Sequence, residues 1–223
     1  MNYPGGKGNV YQRFINLMPP HETYIETHLG GGAIIRKKHP AKRNIGIEID
    51  PSVIKMWAIT DTKTDLELIH GDAVKYLKSH QFTGKELIYC DPPYPRESRK
   101  KHYPQYKYEY TTEQHIQLLE VIKSLPCMVM ISSYKTPLYT ESLKDWHTIS
   151  FLATTHHGMA TEWIWMNYPS PVKLHDYRYL GDNFRERERI KGFSKRWLDR
   201  LKRMPILERE ALLNTLDSLK DQE

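Results

Sequence analysis

Short apolar runs alternate with stretches of helical period along the first three quarters of the chain. Tyr24–Thr27, Asn44–Ile49, Glu67–His70, Leu87–Cys90, Met128–Ser132, Ile149–Ala153 and Thr161–Tyr168 are apolar, brief and bounded by turn residues, so they read as strands. Helices fill the gaps: Lys7–Met18, Gly32–Lys37, Pro51–Ile59, Ala73–Lys78, Thr112–Leu125 and Pro137–Lys144. Pro19-Pro20 stops the first. Thr111 and Gln114 have the spacing of a capping box, and Pro51 and Pro137 suit first-turn positions. Such alternation demands right-handed crossovers and predicts an α/β fold with a parallel sheet covered by helices. The last two strands are joined only by the polar stretch Thr154–Ala160, which predicts an antiparallel hairpin at the sheet edge.

Past Pro169 and Pro171 the pattern changes, so the chain divides into a catalytic domain over 1–168 and a basic helical extension over 169–223. Ile190, Phe193, Trp197, Leu201 and Met204 recur at helical spacing, and Pro205 opens a second helix carrying Leu212, Leu213, Leu216 and Leu219. Lys173 to Arg203 holds eleven Lys/Arg against five Asp/Glu, which accounts for the whole net charge of +6. A basic excess held in one appendage points to an anionic partner. Cys90 and Cys127 fall in or beside strands, far apart, and read as reduced core residues of a cytosolic protein. His156-His157 has no companion at metal-ligand spacing and reads as a hairpin tip, so no metal is expected. There is no apolar signal segment and no run near the roughly 20 residues that span a bilayer, so a cytoplasmic protein with no membrane partner is expected.

The most informative residues are Asp91-Pro92-Pro93-Tyr94, directly after the run Leu87–Cys90. Open α/β sheets place ligand crevices at the carboxyl ends of such strands. The prolines fix φ and donate no hydrogen bonds, so a carboxylate, a carbonyl and an aromatic face are aimed into one crevice. That set suits a planar base with an exocyclic amino group: two acceptors for two N–H bonds and a ring to stack on. Glu26-Thr27-His28-Leu29-Gly30-Gly31-Gly32 reads as strand, glycine turn and helix, admitting a bulky ligand, although such turns also serve packing. Glu48 ends the second strand about 20 residues later, where an acid typically takes both ribose hydroxyls of a nucleoside. Asp72 ends the third and has the position to accept from an adenine amino group. Either acid equally suits a cap on the helix that follows. Near the start, Tyr3-Pro4-Gly5-Gly6-Lys7-Gly8 offers close backbone approach and a point charge for a carboxylate.

Taken in chain order, from Tyr3–Lys7 through Glu26–Gly32, Glu48 and Asp72 to Asp91–Tyr94, the motifs resemble those of the Dam-type DNA adenine-N6 methyltransferases of the alpha group, over roughly residues 1–168, with Ser132-Ser133-Tyr134 and Thr161-Glu162-Trp163 similar to the family's later strands. The resemblance implies a Rossmann-like, S-adenosylmethionine-dependent methyltransferase sheet of seven strands, the last inserted antiparallel. It implies S-adenosylmethionine held by Tyr3, Lys7, Gly30, Gly32, Glu48 and Asp72, and a target adenine held by Asp91, Pro92 and Tyr94. Three departures stand out. Thr27-His28 replaces the usual Pro-Phe beside the cofactor, Tyr3 stands where relatives often have tryptophan, and only 19 positions separate Asp72 from Asp91, leaving no room for a recognition domain.

Two segments are candidates for that missing function. Pro95–Tyr110 interleaves Arg96, Arg99, Lys100, Lys101 and Lys107 with tyrosines including Tyr106, a composition suited to phosphate contact and base stacking. The helix with Arg187, Lys195 and Arg196 suits phosphates, unless it packs as core with a solvated charged face. The expected activity is therefore site-specific methylation of adenine N6 in double-stranded DNA, on a base flipped from the helix, in a bacterial or phage-encoded enzyme. The same chemistry on structured RNA, or a silent nucleic-acid-binding subunit, is the alternative.

Overall fold

The computed structural model describes residues 6–59, 65–99, 106–155 and 158–220. Seven strands form one sheet: β1 (Thr23–Glu26), β2 (Arg43–Glu48), β3 (Glu67–His70), β4 (Glu86–Cys90), β5 (Met128–Ser133), β6 (His147–Thr155) and β7 (Gly158–Met166). Their order is β3-β2-β1-β4-β5-β7-β6. The first five pair in parallel, and β7 inserts antiparallel between β5 and β6. This is the Rossmann-like sheet of seven strands, the last inserted antiparallel, that the resemblance implies. Residues 156–157, the expected hairpin tip, lie outside the described residues.

The helices are α1 (Tyr11–Ile15), α2 (Ala33–Lys37), α3 (Pro51–Ala58), α4 (Ala73–Ser79), α5 (Thr112–Ser124), α6 (Pro137–Ser142), α7 (Phe184–Arg203) and α8 (Ile206–Lys220). Local chemistry sets their starts. Thr111 and Gln114 form the reciprocal capping box of α5, while Asp50 and Thr136 cap α3 and α6 ahead of a first-turn proline. The first helix is shorter than its pattern predicts: the chain ahead of Tyr11 turns instead, its Lys7 carbonyl accepting from the Val10 amide at 3.0 Å.

Strand alternation sends side chains to two layers. Ile25, Ile45, Ile47, Ile88, Val129 and Ile131 pack with Val74 and Leu77 of α4 and Leu118, Leu119 and Ile122 of α5. Phe14 of α1 meets Tyr89 of β4 edge-on at 5.4 Å, and both are fully buried. Each such side chain contributes about 1.5–3 kcal/mol of burial. Two compact units result, one running to Asp176 and one starting at Tyr177. The stretch after Pro169 stays with the sheet because the His175 amide donates to the Met18 carbonyl at 2.9 Å and the His39 amide to Asp176 at 2.8 Å. In the second unit, Asn183 caps α7, and no described residue is buried. No helix among the described residues is long and apolar enough to cross a membrane.

Candidate active site

Strand order reverses direction between β1 and β4, so the carboxyl ends of these two strands flank a crevice. It opens into a cleft of about 750 Å³, counting its mouth, whose lining includes Gly30–Gly32, Glu48, Asp91, Pro92 and Tyr110. The glycine turn follows β1. Gly32 has φ +57°, and a Cβ there would meet the Trp57 ring at 2.3 Å, so no other residue fits without displacing Trp57. Trp57 also fixes the turn by donating from Nε1 to the Gly30 carbonyl at 2.8 Å.

Glu48 ends β2, buried, with each carboxylate oxygen holding one backbone amide: Gly30 at 2.8 Å and Asp50 at 2.9 Å. Those bonds aim the carboxylate into the cleft and leave each oxygen a further lone pair, which suits two hydroxyls. The residues present thus fit a nucleoside-bearing cofactor: a glycine turn with no side chains in the way and a fixed acid beside it. Asp72 does not join them. Its Oδ1 accepts from the Lys75 amide at 2.9 Å, capping α4, and it does not line the cleft. That cap uses one carboxylate oxygen.

The tetrapeptide follows β4 directly. Ser132 of β5 donates to Asp91 Oδ1 at 2.9 Å and is itself tied to the Tyr89 hydroxyl at 2.8 Å. Lys7 Nζ reaches the same Oδ1 at 2.8 Å, the Tyr94 hydroxyl at 2.9 Å and Glu162 of β7 at 3.4 Å. Oδ2 of Asp91 has no hydrogen bond among the described residues. Burial alone would push the Lys7 ammonium down, but Asp91 and Glu162 more than offset it and hold its pKa well above the ordinary lysine value. Glu162, buried and facing Asp91, is raised, with Lys7 and the Tyr94 hydroxyl opposing the shift. Tyr94 also packs edge-on against Tyr134 at 4.7 Å. Charge balance, not a single pair, holds this corner together.

Two further acids and a histidine, none of them among the residues expected to bind, line the cleft. Glu26 is buried, and its carboxyl is pushed up to about 8 by burial, despite bonds from the Tyr24 hydroxyl and the Ile35 amide. Asp50 pairs with Lys107 at 3.2 Å. His28 Nε2 lies 2.9 Å from the Tyr110 hydroxyl. An acid inside an apolar strand is the sequence signal that marks Glu26, and the same signal marks Glu162 beside Lys7.

The segment after the tetrapeptide departs from expectation. Arg99, expected at nucleic acid, is 6 % exposed and makes a two-pronged pair with Glu109 at 2.9 and 2.6 Å, with a third bond to the Tyr94 carbonyl. A guanidinium so enclosed holds the tetrapeptide's exit. Tyr106, also expected at nucleic acid, lines the cleft instead. Arg96 is exposed in a 3-10 turn, Lys195 and Arg196 are exposed on α7, and Arg187 is half-buried, donating to the Gly181 carbonyl at 3.3 Å. Tyr3, Lys100 and Lys101 lie outside the described residues. Among the described residues no group of three or more His, Cys, Asp or Glu is placed to hold a metal.

A comparison with curated proteins gives no match. Solved structures similar to this chain include a SAM-dependent methyltransferase from Anabaena variabilis (11 % identity, 69 % of this chain and 79 % of that one, TM-score 0.48). The N-methyltransferase NodS from Bradyrhizobium japonicum is 12 % identical over 73 % of this chain and 99 % of its own, with a TM-score of 0.47. A dimethyladenosine transferase from Plasmodium falciparum is 11 % identical over 74 % and 62 %, with a TM-score of 0.46. Residues 61–157, which contain the tetrapeptide, β4 to β6 and the segment between, match the model of the D12 class N6 adenine-specific DNA methyltransferase family.

Proposed function

We propose that this chain transfers a methyl group from S-adenosylmethionine to the N6 amino group of adenine in DNA. The observation that carries the reading is that Asp91 and Pro92 line the same cleft as the glycine turn and Glu48, so a base and a nucleoside cofactor would meet there. The cofactor supplies a methyl group on a sulfonium. Glu48, Gly30 and Gly32 would hold its nucleoside, and Lys7 stands within the same cleft to meet its carboxylate. The adenine amino nitrogen is a poor nucleophile because its lone pair is delocalised into the ring. Asp91 Oδ2 and the Pro92 carbonyl, each accepting one N–H, favour a tetrahedral nitrogen with a directed lone pair, and positioning does most of the work. Tyr94 replaces the stacking a flipped base loses. Arg96, Lys100 and Lys101, with Arg187, Lys195 and Arg196 of the extension, are the proposed nucleic-acid contacts.

The test is transfer of labelled methyl groups to unmethylated double-stranded DNA, with N6-methyladenine identified by mass spectrometry of nucleosides and mapped by single-molecule sequencing. Methylation at a defined site is expected. Label on a structured RNA but not on DNA, or cofactor binding with no transfer to any nucleic acid, would overturn the reading.

A further inference from the structure

Tyr106, Lys107, Tyr108 and Tyr110, which lie between the tetrapeptide and α5, line the same cleft as the glycine turn. Tyr110 is the most tightly fixed of them. Its hydroxyl lies 2.9 Å from His28 Nε2, and the two rings meet edge-on at 5.3 Å. On the other side it meets His115 edge-on at 5.3 Å, and His115 is bound to the Tyr139 hydroxyl at 2.9 Å.

The other edge of the His28 ring is held too: Thr27 Oγ1 lies 2.8 Å from Nδ1 and 3.3 Å from the Tyr89 carbonyl. Burial, with His115 adding to it, pushes the His28 imidazole down to about 3, so the ring stays neutral across the physiological range and can keep one hydrogen bond at each nitrogen in either tautomer. Lys107 adds a second tie across the cleft to Asp50, two residues past Glu48.

We infer that Tyr110, delivered by the segment after the tetrapeptide and oriented by His28, is a cofactor-positioning residue that forms the aromatic wall of the cleft. The inference rests on the proposed cofactor. It gives His28 a role: from the turn after β1 it holds the tyrosine that lines the cleft. It also means that the segment next to the target base is set by the cofactor side of the cleft.

The test measures S-adenosylhomocysteine binding to the full chain by calorimetry. Tyr110→Ala should weaken it about tenfold or more and raise the KM for the methyl donor in step, with kcat changed far less. Tyr110→Phe and His28→Phe should each cost only a few-fold, and the double variant no more than the worse single one, because both remove the same bond. Additive losses in the double variant, or wild-type affinity in Tyr110→Ala, would overturn the inference while leaving the proposed function standing. If Tyr110→Ala fails to fold, as judged by thermal unfolding, the cycle of Phe variants decides alone. A wild-type chain that binds no S-adenosylhomocysteine overturns the proposed function and this inference with it.

Discussion

The ammonium of Lys7 lies 2.8 Å from Oδ1 of Asp91, across 84 positions of sequence. One oxygen of the tetrapeptide's carboxylate is thereby committed to charge balance, and the other makes no hydrogen bond among the described residues. Removing one member of a buried pair is usually costly because it strands the other charge. Here Glu162 stands 3.4 Å from the same ammonium and limits that cost.

Asp91→Ala should therefore keep a cooperative fold and its affinity for S-adenosylhomocysteine while losing methyl transfer by about a thousandfold, since the lost bond matters mainly in the transition state. Label transfer and calorimetry on the same preparation check this. Near-wild-type turnover would remove Asp91 from the chemistry.

Glu48→Ala should weaken S-adenosylmethionine and S-adenosylhomocysteine equally, on the order of 2 kcal/mol, because both carry the ribose this acid faces. Unequal losses would mean that Glu48 senses the sulfonium and not the diol.

Acid should unfold the protein early. His21 and His28 are each pushed down to about 3 and His115 to about 4, all chiefly by burial, from an ordinary value of 6.5. Folded pKa values below the unfolded one give stability that is present above pH 6.5 and lost as pH falls toward them. Between pH 6.5 and 5 each histidine forfeits on the order of 2 kcal/mol. Glu26 runs the other way: raised to about 8, its contribution grows as pH falls toward 4.5, offsetting roughly one histidine. A net fall in Tm between pH 6.5 and 5 is expected, and Glu26→Gln should make it steeper. A flat profile would contradict the burial of these imidazoles.

Arg99 and the α7 cations should separate cleanly. Arg99→Ala strands Glu109 in a buried site and should destabilise the fold by about 3 kcal/mol, read by denaturant unfolding. Neutralising Arg187, Lys195 and Arg196 together should weaken DNA binding at every sequence and flatten its salt dependence, with Tm unchanged. Loss of target choice in the triple variant would instead assign base readout to α7.

Much of the sheet was legible because each strand announces itself locally, as in Ile45–Ile49 or Leu87–Cys90, and because the capping box and first-turn prolines mark helix starts without reference to the rest of the fold. Glu48 and the glycine turn were legible for the same reason: strand ends are where ligands go. Arg99 was not, because a basic residue among lysines carries no mark of the Glu109 that buries it. Nor was Asp72, whose position fits a ligand and a helix cap equally well until the Lys75 amide is seen bonded to it. The convergence of Lys7, Asp91 and Glu162 depends on β7 entering the sheet beside β5, which no local pattern specifies.

That entry of β7 has a consequence for biosynthesis. Glu162 emerges from the ribosome more than 150 residues after the lysine it approaches, and the strand carrying it wedges between β5 and β6 after both have been made. A nascent chain therefore holds the tetrapeptide and its lysine long before it holds Glu162, the third member of this corner, which arrives only with the closing hairpin. Fragments ending ahead of residue 158 should be inert however well their parallel strands assemble, and supplying the hairpin in trans is the natural way to switch such a fragment on.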